Sequence, residues 1–202
     1  RILDFSLRVK RDEEGRINWA QSDPGSEVIA LDPSTISLDA AQFENGTVQL
    51  IDAVNGYDIS LTGLGGDLKA VSLLGPLRID GAFYHDAHGY EFSATLGMFG
   101  GNRAFPVNIE IREPSVPWQA SFTGLATDAS ATARLDGTVQ FSLGVAPEEK
   151  PEEATKAPIN VQAGAVISRE SISLRDVELV IAGSVLKGQA GLTFDDIPTL
   201  AV

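Results

Sequence analysis

Ala131-Thr132-Ala133-Arg134-Leu135-Asp136-Gly137-Thr138-Val139-Gln140-Phe141-Ser142-Leu143 decides the fold. Ala131, Ala133, Leu135, Gly137, Val139, Phe141 and Leu143 fall on one side of the repeat, and Thr132, Arg134, Asp136, Thr138, Gln140 and Ser142 on the other. Successive side chains of a strand point to opposite faces, so a period of two means a strand with one dry and one wet face. The same period recurs outward from this stretch. Tyr90, Phe92, Ala94 and Leu96 alternate with Glu91, Ser93 and Thr95, and Val107, Ile109 and Ile111 with Asn108, Glu110 and Arg112. Trp118, Ala120 and Phe122 alternate with Gln119, Ser121 and Thr123, and Leu186, Gly188, Ala190, Leu192 and Phe194 with Lys187, Gln189, Gly191 and Thr193. Parallel strands buried on both faces read as continuous apolar runs, whereas one-sided alternation is the mark of antiparallel sheets. The sequence predicts an all-β, mainly antiparallel chain. Val71-Ser72-Leu73-Leu74 reads as a single turn or a strand end.

Turn chemistry separates these runs. Glu44-Asn45-Gly46, Asn55-Gly56, Gly65-Gly66-Asp67, Asp86-Ala87-His88-Gly89 and Gly100-Gly101-Asn102 supply positive φ and local side-chain hydrogen bonds. Asn55-Gly56, between Val48–Ile51 and Tyr57–Leu61, predicts a hairpin. The segment 147–158 holds prolines, glutamates and lysines with nothing to bury, and is expected to be an exposed loop or linker. It divides a region 1–146 from further strands in 159–202 that continue the same sheet. A faint repeat is also present. Ser60-Leu61-Thr62-Gly63-Leu64 matches Ser121-Phe122-Thr123-Gly124-Leu125, and Arg78-Ile79-Asp80-Gly81 matches Arg134-Leu135-Asp136-Gly137. Their common order suggests a duplicated multi-strand unit.

Composition narrows the functions. The 202 residues carry 15 basic and 28 acidic side chains, a net charge of −13. Phosphate backbones and anionic bilayer surfaces repel such a chain, so nucleic acid is not an expected partner. There is no cysteine, hence no disulfide, thiolate nucleophile or zinc knuckle, and the two histidines leave little for acid–base or metal chemistry. His85-Asp86-Ala87-His88 is the one cluster with metal-like spacing, and it reads as a solvated turn. Asp195-Asp196 lacks the acidic loop of a calcium site and reads as a turn before Pro198. No Gly-x-Ser-x-Gly elbow is present, and Gly63-Leu64-Gly65-Gly66 has neither the lysine nor the helix of a phosphate loop. An enzyme is not expected, nor a cofactor, nor a metal.

The dry face remains. Two such faces closed on each other make a β-sandwich core, whereas one curled, open sheet turns the same residues into a gutter for acyl chains, and periodicity alone does not separate the two. The candidate lining is Tyr90, Phe92, Leu96, Val107, Ile109, Ile111, Phe122, Leu135, Val139 and Phe141. No apolar run approaches a membrane span. Ile2–Val9 reads as mid-sheet sequence, which suggests a piece of a longer protein.

Several segments together resemble the AsmA family of bacterial envelope proteins. Arg8-Val9-Lys10-Arg11, leading to Gly15-Arg16-Ile17-Asn18-Trp19, is similar to the family's strand and Gly-Arg-x-Asn-Trp turn. Val28–Leu31 through Phe43-Glu44-Asn45-Gly46-Thr47-Val48-Gln49-Leu50-Ile51-Asp52 resembles its hairpin, followed by Leu64–Ala70 and Ser72–Leu77. Ile172–Leu179 and Gly183–Leu192 resemble its closing strands. The likeness spans most of the chain, and the order of the pieces is more specific than any one of them. It implies an elongated open β-groove lined with apolar side chains. It also implies a periplasmic location, an inner-membrane anchor not contained in this chain, and a part in phospholipid transport and outer-membrane homeostasis. The implied partners are phospholipid acyl chains, held at distributed alternating positions without a catalytic motif. The alternatives are a secreted β-sandwich that binds carbohydrate or protein, and a purely structural envelope repeat.

Overall fold

The computed structural model describes residues 1–12, 37–53, 56–72, 74–98, 104–127, 134–144, 158–168, 171–193 and 199–201. They form thirteen strands and no helix: β1 (Ile2–Leu3), β2 (Ser6–Arg11), β3 (Leu38–Asp52), β4 (Tyr57–Ala70), β5 (Leu77–His85), β6 (His88–Leu96), β7 (Phe105–Glu113), β8 (Trp118–Thr127), β9 (Arg134–Leu143), β10 (Ile159–Ser168), β11 (Ser171–Ile181), β12 (Ser184–Thr193) and β13 (Thr199–Ala201). From β3 to β13 each strand pairs antiparallel with the next, a single meander. β1 and β2 both lie parallel along β3, beside Phe43–Glu44 and Thr47–Asp52. They are one edge strand interrupted at Asp4, whose φ is 51°. Ile2–Val9 is thus in the sheet, but along its edge among the described residues rather than in its middle, where the sequence places it.

Every strand touches only its sheet neighbours, and the two ends of the order do not meet. The sheet is therefore open and does not close into a barrel. The closed sandwich fails for a physical reason: among the described residues the dry face has no second sheet to meet. β9 pairs with β10 along their full lengths, so the strands on either side of 147–158 belong to one sheet. The loop expected there lies outside the described residues, except for Pro158, as do Asp195-Asp196, Gly15–Trp19 and residues 131–133. β3 and β4 form the expected hairpin, with Asp52 opposite Tyr57 and Gly56 at φ 73°. Asn55 itself is outside the described residues. Val71, Ser72 and Leu74 belong to a turn, where the Ser72 hydroxyl donates to the Gly75 carbonyl at 2.9 Å and accepts from the Leu74 N–H, while Leu73 is outside the described residues.

Bulges keep the dry face continuous, and β3 has two of them, between Leu38 and Ala41 and between Phe43 and Gly46. A register shift between Thr62 and Gly65 resets β4 from odd positions (Ile59, Leu61) to even ones (Gly66, Leu68, Ala70). Another, between Leu174 and Val177, does the same in β11, with Asp176 at φ 50°. A one-residue slip would otherwise turn the rest of each strand inside out.

The sheet also curls, and glycine pairs show which way. Gly66 faces Gly81 across β4–β5, and Gly124 faces Gly137 across β8–β9. All four fall on the dry face, because Gly81 is in register with Phe92 and Gly124 with Val107. A Cβ on Gly66 would lie 2.7 Å from the Gly81 Cα, and one on Gly124 would lie 2.6 Å from the Gly137 Cα. In a flat pair the facing Cα stands about 4.5–5.5 Å to the side of the strand rather than ahead of the Cβ. The neighbouring strand has therefore swung toward the dry face, which is the concave side at both creases.

Candidate functional site

The registers place all ten sequence-predicted residues on that one face, over four adjacent strands. Phe92 pairs with Ile111, Leu96 with Val107, Ile109 with Phe122, Phe122 with Val139, and Ala126 with Leu135. Phe141 stands opposite Ala120 on one side and Val161 on the other. Val161 and Leu179, then Leu179 and Leu186, carry the face on to β12.

The ten residues are not equivalent. Val107 (4% exposed) and Phe122 (8%) are buried with Ala126, and Leu96, Phe105, Leu135 and Val139 pack against them. This is a local core built within one layer, and it holds the sheet's shape. Ile109 (39%) and Phe141 (37%) stand exposed in the middle of the face, while Tyr90, Phe92 and Ile111 are half-buried. Beyond them Leu186 is also exposed. The residues brought together thus divide into packing residues and an uncovered lining.

The candidate lining left out Phe83, Trp118 and Glu113, which complete one edge of this face with Tyr90, Phe92 and Phe141. Five rings run side by side: Phe92 lies 5.9 Å from Phe83, Phe83 stacks on Tyr90 at 5.2 Å, Tyr90 lies 6.0 Å from Trp118, and Trp118 stacks on Phe141 at 6.1 Å. Glu113 fills the β7 slot between Tyr90 and Trp118, since Glu91 pairs with Arg112 and Glu113 with Trp118. Although a carboxylate, it is buried. It accepts from His88 Nδ1 at 2.9 Å, from Ser115 Oγ at 2.9 Å and from the Trp118 indole Nε1–H at 3.0 Å. These donors, His88 first and then Trp118, hold the carboxyl below its ordinary range against the opposing effect of burial. Charge-assisted bonds of this kind fix the Trp118 ring in place. A signal was available: Glu113 is the next odd position after Val107, Ile109 and Ile111, an in-phase charge on a dry stripe. His85-Asp86-Ala87-His88 is a tight turn with Asp86 and Ala87 both at positive φ, and His88 belongs to the Glu113 cluster rather than to solvent alone. Among the described residues, no three His, Asp or Glu side chains converge as a metal set.

The wet face carries two open hollows, of about 470 Å³ beside Gln119, Gln140, Asn160 and Gln162, and about 560 Å³ beside Asp67, Asp80, Glu91 and Arg112. A twisted sheet is a saddle and has a hollow on each side. Both are lined by polar side chains mixed with apolar ones, and Arg112 there is already held by Glu91 at 2.6 Å. Neither gathers the apolar surface that the opposite face does. No protein family, curated protein or solved structure matches the chain.

Proposed function

We propose that the apolar face is an open trough for phospholipid acyl chains, in a periplasmic AsmA-like protein that moves lipid between membranes and maintains the outer membrane. The observation that carries this reading is the uncovered lining: large aliphatic and aromatic side chains, Ile109 and Phe141 among them, stand exposed on the concave side of a sheet that, among the described residues, no second layer covers. Extended apolar patches on soluble surfaces mark binding sites. Each methylene taken from water is worth about 0.8 kcal/mol, so a chain is retained without any specific polar contact, and repeated weak contacts allow it to slide. The resemblance of the chain's segments to the AsmA family supplies the envelope setting, the inner-membrane anchor and the lipid class. No residue is assigned a catalytic role, and the reading needs none.

The test is native mass spectrometry of the chain after incubation with phosphatidylethanolamine and phosphatidylglycerol vesicles and their removal. Adducts of one or more whole phospholipids are expected. A chain that emerges free of lipid from vesicles of both compositions refutes the proposal and leaves the sheet a structural spacer.

A further inference from the structure

The two glycine creases are the same structure built twice. In each, the second strand carries Arg-x-Asp-Gly: Arg78-Ile79-Asp80-Gly81 in β5 and Arg134-Leu135-Asp136-Gly137 in β9. In each, the final glycine faces a glycine of the preceding strand. A Cβ on that preceding glycine would strike the same two atoms, the Asp carbonyl oxygen (Asp80 or Asp136) and the Cα of the facing glycine. In each, the Arg side chain bonds the Asp two residues on, Arg78 to Asp80 at 2.7 Å and Arg134 to Asp136. Phenylalanine rings cover both: Phe43 and Phe92 reach within about 3 Å of where the Cβ atoms of Gly66 and Gly81 would be, and Phe122 lies over Gly124. The other half of the sequence repeat is not equivalent. Gly63 sits at a bulge with φ 59°, so it is Gly66, not Gly63, that corresponds to Gly124.

We propose that Arg-x-Asp-Gly set against a glycine is a crease module, repeated every four strands, that fixes the direction and degree of curl of this open sheet. The parts have separable tasks. Without a Cβ on either strand, the backbones approach on the dry side. The covering ring replaces the side-chain contact that a glycine pair lacks, a known remedy for glycines in sheets. On the wet side Arg78 and Arg134 each meet a carboxylate of their own strand, and at the second crease Arg175 of β11 also reaches Asp136, at 3.7 Å. At β4–β5 Asp67 stands directly opposite Asp80, and Arg78 offsets that like-charge pairing from within β5. Between the creases, β5–β8 form one four-strand panel. The inference does not depend on what occupies the trough.

The chain has no cysteine, so pairs of spin labels can be introduced on it without background. One pair, at Asn108 and Lys187, is on the wet face, and the other, at Ile109 and Leu186, on the dry face of the same two strands. Five strand spacings separate β7 from β12, about 24 Å in a flat sheet for either pair. With the crease at β8–β9 the dry-face pair is expected to be several ångströms shorter than the wet-face pair. Equal distances on the two faces overturn the proposal, and this comparison needs no variant. Gly124→Ala or Gly137→Ala is expected to lengthen the dry-face distance and shorten the wet-face one, opposite shifts that unfolding does not produce. Gly188→Ala, where a Cβ meets nothing within 4 Å, is expected to change neither. A folded Gly124→Ala with both distances unaltered also overturns it. If Gly124→Ala does not fold, the comparison of faces in the unaltered background decides.

Discussion

Replacing Ile109 with aspartate separates an open trough from a covered core. Ile109 is 39% exposed, with Ala94 and Phe122 as its cross-strand neighbours. Full burial of an isoleucine is worth about 1.5–3 kcal/mol, so the three-fifths hidden here contributes about 1–2 kcal/mol to folding. The new carboxylate emerges on an uncovered face and stays hydrated, so Ile109→Asp is expected to lose no more than about 2 kcal/mol, without the larger penalty of a charge stranded in a dry interior. Binding is expected to suffer more. A carboxylate under an acyl chain removes contact with roughly three methylenes at about 0.8 kcal/mol each, close to 2.4 kcal/mol or about a 50-fold loss of affinity. Urea denaturation followed by tryptophan fluorescence gives the first quantity, and titration with a fluorescent phospholipid gives the second. A folded variant with undiminished affinity would refute the assignment of Ile109 to the lining. A loss of stability above about 4 kcal/mol would show that the residue lies beneath a second layer.

Phe122→Ala should behave in the opposite manner. Phe122 is buried in the local core and roofs Gly124, so about 3–5 kcal/mol of stability should go, read as a fall in the urea midpoint; a change below about 1 kcal/mol would contradict the core. Glu113 should give an acid-sensitive contribution. Its carboxyl is held below the ordinary range by His88, Trp118 and Ser115, so the stabilisation is complete above about pH 5 and is lost as pH falls through the lowered folded-state value. The urea midpoint of the unaltered chain should therefore drop more between pH 6 and pH 3 than that of Glu113→Gln, and equal slopes would count against the cluster. Glu113→Gln should also loosen Trp118, seen as a changed indole emission at neutral pH, because the indole N–H loses its charged acceptor.

The strand faces were legible because period-two alternation is local. Tyr90–Leu96, Val107–Ile111 and Trp118–Phe122 each declare their own dry side, and antiparallel pairing can only align them. The choice between open and closed was not legible, since Phe122 and Ile109 have the same pattern and chemistry while one is buried and the other exposed. That difference arises from neighbours on adjacent strands: Phe122 leans over Gly124 and packs with Val107, Leu135 and Val139, whereas Ile109 is left 39% exposed. Curl direction was half-written, in Arg-x-Asp-Gly, but required knowing that each final glycine faces another glycine across the ladder. Glu113 was passed over because alternation was read for apolar residues only, and an in-phase carboxylate is visible only when the missing apolar residue is itself counted as a signal.

The most direct measurement is site-by-site photocrosslinking, with a photoreactive amino acid placed in turn at residues 107–112 of β7 and phospholipid vesicles as the target. Strong crosslinks to lipid at Ile109 and Ile111, with little at Asn108, Glu110 and Arg112, are the expected outcome, a period of two that only an occupied dry face can give. Equal labelling at odd and even positions, or none at any, would contradict an acyl chain lying in the trough.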